Sequence, residues 1–250
     1  MKVQDVYEYI NGFAPFGTQC AWDNSGLLLG DASQTVSRVL VCLDVTAETA
    51  LYAVENGCGL IVSHHPVIFH ALKSIPASSV ITPLVKNGIA VISAHTNLDI
   101  APGGVNDTLC ETLGLPFKKC PPEIAEGFLN VLSLPRPLSA PEIALLVSEK
   151  LHAHVRYIDA GLHVCEAAVC GGSGGSFAAE AKLLGCGALI TGDADHHDFL
   201  DAAALGVSLF AAGHFETENP VAQKLQGLLA AAFPGTEFIT PPASSPVRSV

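Results

Sequence analysis

The run Ser63-His64-His65-Pro66 sets two adjacent imidazoles where an apolar stretch, Leu60-Ile61-Val62, stops. The apolar residues place the segment in a core as a strand, and Pro66 prevents its regular continuation. At a strand end, where the backbone turns, neighbouring imidazoles can address one point from both sides of the chain. Neutral imidazole is the commonest protein ligand for transition metals. The pair therefore reads either as metal ligands or as satisfied loop residues. Which of the two holds depends on whether the chain also supplies carboxylates.

Further strand ends carry such groups. Ile89-Ala90-Val91-Ile92-Ser93 ends in Ala94-His95-Thr96-Asn97-Leu98-Asp99. Ala188-Leu189-Ile190 ends in Thr191-Gly192-Asp193, with His196 and His197 close behind. Val207-Ser208-Leu209-Phe210 leads to Gly213-His214 and Glu218. His64, His65 and His214 with Asp99 and Glu218 make a mixed nitrogen and oxygen donor set. Such a set suits zinc, iron, manganese, cobalt or nickel, whereas thiolate sites look different. Two neighbouring divalent cations need bridging carboxylates to offset their repulsion, and Asp99 and Glu218 are the natural bridges. Ordinary helix capping is the other reading of both. His95, Asp193, His196 and His197 read as groups that orient ligands or carry protons, with His95 and His197 the candidate catalytic residues. Solvated loop polarity is their alternative. His70, His152, His154 and His163 lack this context.

Gly171-Gly172-Ser173-Gly174-Gly175-Ser176 joins a strand to a helix and has two readings. One is an anion cradle, the other a tight turn that lets the helix pack. No Gly-Lys-Ser/Thr ending, no intact GxGxxG and no HExxH is present, so no nucleotide or zinc-protease motif is met.

The elements that must position these groups follow from pattern. Val3, Val6, Tyr7 and Ile10 have helical spacing, with Asn11-Gly12 as its stop. Trp22-Asp23-Asn24-Ser25-Gly26 reads as a polar turn before a short strand. Arg38 to Asp44 is a strand, Thr46 caps a helix to about Glu55, and Gly57 ends it. A helix is expected near 79–87, and Gly103-Gly104-Val105-Asn106-Asp107 opens another that ends near Gly114. Residues 116–127, rich in Pro, Lys and Glu, read as a linker. Strands are expected at 128–134, 155–159 and 165–170. Ser139-Ala140-Pro141-Glu142 is a capping box opening a helix to about Leu151. Helices follow at 177–184, from Phe199, and from Pro220 to about Ala232. Phe238-Ile239 is a possible edge strand, and the tail from Ala243 is expected to fray. Alternating strands and helices argue for α/β layers with largely parallel pairing.

The halves echo each other. Gly57-Cys58-Gly59-Leu60-Ile61 leads to Ser63-His64-His65, and Gly185-Cys186-Gly187-Ala188-Leu189-Ile190 leads to Gly192-Asp193. One strand on, His95-x-x-x-Asp99 parallels His214-x-x-x-Glu218. Duplication or chance explains so short an echo. In parallel α/β sheets functional residues gather at the carboxyl ends of strands, where all these clusters fall.

Composition bounds the rest. The chain has 250 residues, 49% hydrophobic and 14% charged, with net charge −12. An ample core is available, and an acidic chain offers no basic footprint for nucleic acid or an anionic membrane. No apolar run is long enough for a bilayer, and Met1 to Val6 lacks a signal-peptide core. The eight cysteines show no CxxC spacing and read as buried thiols in a reducing cytoplasm.

Trp22-Asp23-Asn24-Ser25-Gly26-Leu27, Ser63-His64-His65-Pro66, His95 to Asp99, Gly103-Gly104-Val105-Asn106-Asp107, Gly171 to Phe177, Thr191-Gly192-Asp193 with His197, and Gly213-His214 with Glu218 together resemble the NIF-three-like dinuclear metal-centre family. Many of its members are labelled homologues of type-two GTP cyclohydrolase I. The resemblance spans nearly the whole chain, in the compact form without a central insertion. It implies two similar, interlinked α/β lobes, at residues 1–120 and 121–250, and a toroidal homohexamer. It further implies two divalent ions per chain, held by His64, His65, Asp99, His214 and Glu218 with the carboxylates bridging. The label implies a hydrolase in which metal-activated water attacks a nucleotide-like substrate such as GTP. A non-catalytic ring that binds metal and a protein partner, in regulation or metal handling, is the alternative.

Overall fold

The computed structural model describes residues 1–242 together with Ser245 and Val247, so the expected fraying from Ala243 falls largely outside it. By internal packing the chain divides into two units. One comprises Met1–Pro102 with a C-terminal segment that begins at Val221, and the other comprises Gly103–Pro220. The first unit thus breaks off at Pro102 and is rejoined from Val221. The expected linker is structured: Phe117–Lys119 pairs as a strand with residues 130–132.

The first unit is built on five strands, ordered β1 (Gly26–Leu29), β4 (Ala90–Ser93), β3 (Leu60–Ser63), β2 (Arg38–Cys42) and β11 (Glu237–Ile239). Only β1 runs antiparallel to its neighbour; β2, β3, β4 and β11 are parallel. Leu40, Cys42, Ile61 and Val91 pack on one face against Ala50 and Ala53 of α2 (Ala47–Glu55) and Leu84 of α3 (Ile81–Lys86). Their alternates Val39, Val41, Leu60, Val62 and Ile92 are equally inaccessible. Strands buried on both faces read as continuous apolar runs, which is why the sequence signal was strong here. Thr46 caps α2 by accepting from the Thr49 amide at 3.1 Å, as its position predicted.

The second unit has six strands, ordered β5 (Phe117–Lys119), β6 (Asn130–Leu138), β8 (Val164–Cys170), β9 (Ala188–Thr191), β10 (Ser208–Ala211) and β7 (Arg156–Ile158). Here β8, β9 and β10 are parallel, but β5, β6 and β7 run antiparallel to their neighbours. The expectation of largely parallel pairing therefore holds for the first sheet and fails for the second, where three of the five pairings are antiparallel. Alternation along the strands divides two cores. Leu132, Ala167, Val169, Ala188, Ile190 and Phe210 pack with α5 (Val105–Leu113) and α6 (Ala140–Leu151). Val131, Ala168, Cys170, Leu189 and Leu209 pack with α7 (Ala178–Leu183) and α8 (His196–Leu205). The Ser139 capping box is present, with the Ser139 amide donating to Glu142 Oε2 at 2.9 Å.

The sequence echo extends to individual hydrogen bonds. The Cys58 amide donates to Ala53 O and the Cys186 amide to Ala181 O, both at 2.9 Å. Ala90 N donates to Gly59 O and Ser208 N to Gly187 O, both at 3.0 Å. Past the strand ends, Ala94 N donates to Ser63 O and Ala212 N to Thr191 O. Each unit then enters a five-residue helix, α4 (Thr96–Ile100) or α9 (His214–Glu218). Among the described residues no helix is long and apolar enough to cross a membrane.

Candidate metal centre

In the first unit the backbone beyond β3 stays hydrogen-bonded while it bends. His64 N donates to Cys42 O and His65 N to Leu43 O, at 3.1 and 3.0 Å. The Ser63 hydroxyl donates to His65 O at 2.8 Å and contacts the Ser93 hydroxyl at the same distance. The bend is therefore fixed by strand-end bonds on both sides. It brings His64, His65 and His95 together, with one ring nitrogen from each lying within 4.8 Å of the others. Asp99, one turn along α4 from His95, sets Oδ1 3.5 Å from His64 Nε2. Ligands bound to one ion at about 2.1 Å stand roughly 3 to 3.5 Å apart, so this spacing fits joint ligation.

Each imidazole is held from behind. His64 Nδ1 lies 2.8 Å from Ala94 O, His65 Nδ1 2.7 Å from Asp44 Oδ1, and His95 Nδ1 2.8 Å from Asp23 Oδ1. A carbonyl or an ionised carboxylate only accepts, so Nδ1 carries a proton and Nε2 is the ring nitrogen turned away from that partner. Metal-binding histidines are oriented in this way by carboxylate or carbonyl partners. Asp23 is the anchor of the arrangement. It also accepts from Thr96 N at 3.1 Å and from the Thr96 and Ser25 hydroxyls at 2.5 and 3.0 Å. Burial opposes its ionisation, but the bonds from His95 and Thr96 and the His95 charge outweigh burial and hold the carboxyl well below the usual range.

In the second unit His214 Nδ1 lies 2.7 Å from Asp193 Oδ2, and His214 Nε2 lies 2.9 Å from Glu218 Oε2. The glycine run supports Glu218. Gly172 has φ +60°, and a Cβ there would strike the Glu218 carboxylate; one at Gly192 would lie 2.6 Å from Thr217 Oγ1. The loop amides are already engaged. Gly171 N donates to Asn106 Oδ1 at 2.7 Å, Gly172 N to Thr217 Oγ1 at 3.2 Å, Gly174 N to Thr191 Oγ1 at 2.9 Å, and Gly175 N to Asp193 O at 3.2 Å. Of the two readings of Gly171–Ser176 this supports the tight turn. What packs closely on it is the Glu218 carboxylate, a detail that lay beyond the pattern. Asn106 joins α5 to this loop. Asp107 beside it accepts from Gly103 N at 2.7 Å and pairs with Lys119 Nζ at 2.9 Å.

The predicted residues thus gather by unit. His64, His65 and Asp99 meet, joined by His95, which the sequence had assigned to proton transfer. His214 and Glu218 meet, with Asp193 behind the ring. His196 and His197 lie exposed on the first turn of α8, stacked edge-on to each other, and join no cluster of potential ligands among the described residues. Asp23 and Asp44 were missed as ring-orienting groups. The available signal was Asp23-Asn24-Ser25, short polar side chains that reach back to the backbone.

The donor chemistry fits borderline divalent metals: imidazole nitrogen with carboxylate oxygen and no thiolate. Burial, reinforced by the Asp44 charge, pushes the Cys42 thiol far up, so this nearest core cysteine stays neutral. The eight cysteines stand as thiols, six of them buried.

Comparison with known proteins follows this geometry. The Duf34/NIF3 (NGG1p interacting factor 3) family model matches residues 1–245. A Clostridium perfringens protein named GTP cyclohydrolase 1 type 2 homolog is 35% identical over 235 residues, covering 90% of each chain. A Helicobacter pylori protein named GTP cyclohydrolase 1 type 2 is 33% identical over 232 residues, covering 87% of each. Among solved structures, a Staphylococcus aureus hypothetical protein superposes with TM-score 0.88 at 27% identity, covering 100% of this chain and 99% of that one. Reduced HcgD from Methanocaldococcus jannaschii gives TM-score 0.79 at 26% identity, covering 96% and 97%.

Proposed function

The chain belongs to the Duf34/NIF3 family, and on that premise we propose that it is a dinuclear metal-binding protein acting as a metal-dependent hydrolase on a nucleotide-like substrate. The observation that carries this reading is the state of four imidazoles. His64, His65, His95 and His214 all have Nδ1 held by an acceptor, which fixes each ring, and Nε2 of His64 and of His214 each faces a carboxylate oxygen, Asp99 Oδ1 at 3.5 Å and Glu218 Oε2 at 2.9 Å. His64, His65, Asp99, His214 and Glu218 would hold two divalent ions, the carboxylates bridging.

When bound, such ions supply a Lewis acid and bring water's pKa to about 7. The chain's own residues do the rest. Asp44, Asp23 and Asp193 keep three rings in one tautomer and orientation. Asp23 holds the His95 ring from behind at Nδ1, which positions Nε2 to pass a proton to a leaving group. The names of relatives, GTP cyclohydrolase 1 type 2 and its homologs, support a purine nucleotide as substrate class.

We further propose a cytoplasmic homohexamer. Exposed Leu51, Val85, Leu145, Leu183 and Leu200 support contacts between copies, and the thiols support a reducing compartment. Light scattering should give six times the 25.9 kDa chain mass. Elemental analysis of gently purified protein should find about two metals per chain, with loss in Glu218→Ala. Unchanged metal content in that variant removes Glu218 from the site. Retained metal without turnover in a screen of nucleotides and phosphoesters favours the regulatory or metal-handling alternative.

A further inference from the structure

Trp22 stands where an apolar side chain has least reason to be. It occupies the tip of a turn closed by Asp23 N donating to Cys20 O at 2.9 Å, and it is 60% exposed. Turn tips favour Gly, Asn, Asp or Pro for conformational reasons, and a large indole left in water forgoes its burial free energy. The loop beneath it is nevertheless firmly held. Cys20 N donates to Thr96 Oγ1 at 3.0 Å, Ser25 N to Gln19 Oε1 at 2.6 Å, and Asp23 ties the loop to His95 and Thr96. A fixed backbone thus presents an exposed ring.

A second ring faces it. Phe69, 39% exposed, lies on the segment between β3 and α3, and its centroid is 6.1 Å from that of Trp22. Asn24 Nδ2 donates to Ile68 O at 2.6 Å, so the two ring-bearing loops are fastened to each other next to the rings. The Trp22 and Phe69 centroids are each 6.2 Å from the His95 ring. Indole, phenyl and imidazole therefore pack as one ring cluster whose Trp22 and Phe69 members keep part of their surface in solvent.

We propose that Trp22 and Phe69 form a stacking wall that binds the heteroaromatic base of a nucleotide and holds it within a ring's breadth of His95. This deepens the hydrolase reading above and rests on it for the identity of the neighbouring centre. A flat ring stacked on one of these two faces lies tilted 51° to the other and can touch both. Base stacking tolerates any base, so the wall fixes the class of ligand, a nucleobase, more than its identity. Trp22 and Phe69 are positioning residues; neither offers a metal ligand.

Trp22 is the only tryptophan in the chain, so its fluorescence reports on this wall alone. Metal-loaded full-length protein is titrated with guanosine, adenosine and cytidine, and separately with ribose 5-phosphate and inorganic tripolyphosphate. The nucleosides should quench saturably at or below about 1 mM, the upper end of ordinary substrate affinities. The two base-free probes should leave the signal unchanged. By calorimetry, Trp22→Ala should weaken nucleoside binding by about tenfold or more, and Trp22→Phe should restore most of it. Metal content, measured on the same samples, should be unchanged in both variants. No quenching by any nucleoside, or unaltered nucleoside binding in Trp22→Ala, overturns the wall while leaving the metal centre standing. Nucleoside quenching in protein that binds no metal overturns the hydrolase reading and keeps the wall.

Discussion

The two units share a frame and load it differently. In the first, the residues after β3 are His64 and His65; at the matching register after β9 the second has Gly192 and Asp193. Two ligand types in one unit are thus replaced by a close-packed glycine and a ring-orienting carboxylate in the other. One strand on, register aligns His95 with Gly213, each the residue before its five-residue helix, so His214 falls one position later than the sequence echo suggests. One residue along a helix turns a side chain by about 100°. Asp99 accordingly faces a histidine from the neighbouring strand end, whereas Glu218 faces His214 on its own helix. A repeated scaffold can therefore keep its backbone bonds while a one-residue slip redirects its polar groups.

The contrast predicts unequal losses. His64 is only 2% exposed and central to the three-imidazole cluster, whereas His214 is more open. By elemental analysis and metal titration, His64→Ala should lower affinity by more than about 100-fold, beyond what loss of an orienting partner produces. His214→Ala should cost less, and equal losses would break the contrast. Gly172→Ala comes next. Its methyl must displace the Glu218 carboxylate, and φ +60° adds strain of about 1–2 kcal/mol. Urea melts should show that modest destabilisation together with reduced metal content; a fully loaded variant would separate Glu218 from the centre.

The orienting carboxylates sharpen the comparison further. Asp23→Asn removes a buried group that serves His95, Thr96 and Ser25, whereas Asp193→Asn removes an exposed one serving His214. Turnover should fall toward 100-fold in the first, which positions the proton-carrying ring, and metal affinity toward 10-fold in the second. The smallest effect concerns acid. Asp23's folded pKa lies below its unfolded value of 3.8, so its contribution to stability is complete above that pH. It declines below 3.8 and is gone once pH has dropped through the folded value. Denaturant melts from pH 6 to 3 should therefore fall less steeply for Asp23→Asn than for the natural chain.

Legibility followed physics. Doubly buried strands such as β3 and β9 announce themselves as apolar runs, and Thr46 and Ser139 mark helix starts by their side-chain chemistry. Strand direction leaves no such trace, so β6 and the edge strand β7 were found as strands but not as antiparallel. Short elements were harder: α4 and α9 have five residues each, too few for a periodicity, and β5 was hidden among lysines and a proline. At the site, His64 and His65 were visible because a strand end concentrates them. That His95 belongs beside them depends on Asp23, some seventy residues away in sequence, and no spacing rule reports a hydrogen bond over that distance.

The closing strand of the first sheet has a consequence for biosynthesis. β11 pairs with β2 in parallel, yet the ribosome makes it only after the whole of residues 103–220. Until then a nascent chain carries β2 with one flank of amides and carbonyls unsatisfied, an invitation to wrong strand pairing. Arg38, partly exposed on β2, places a charge on that flank and can discourage such pairing during translation, until Glu237 meets it at 2.6 Å as β11 docks.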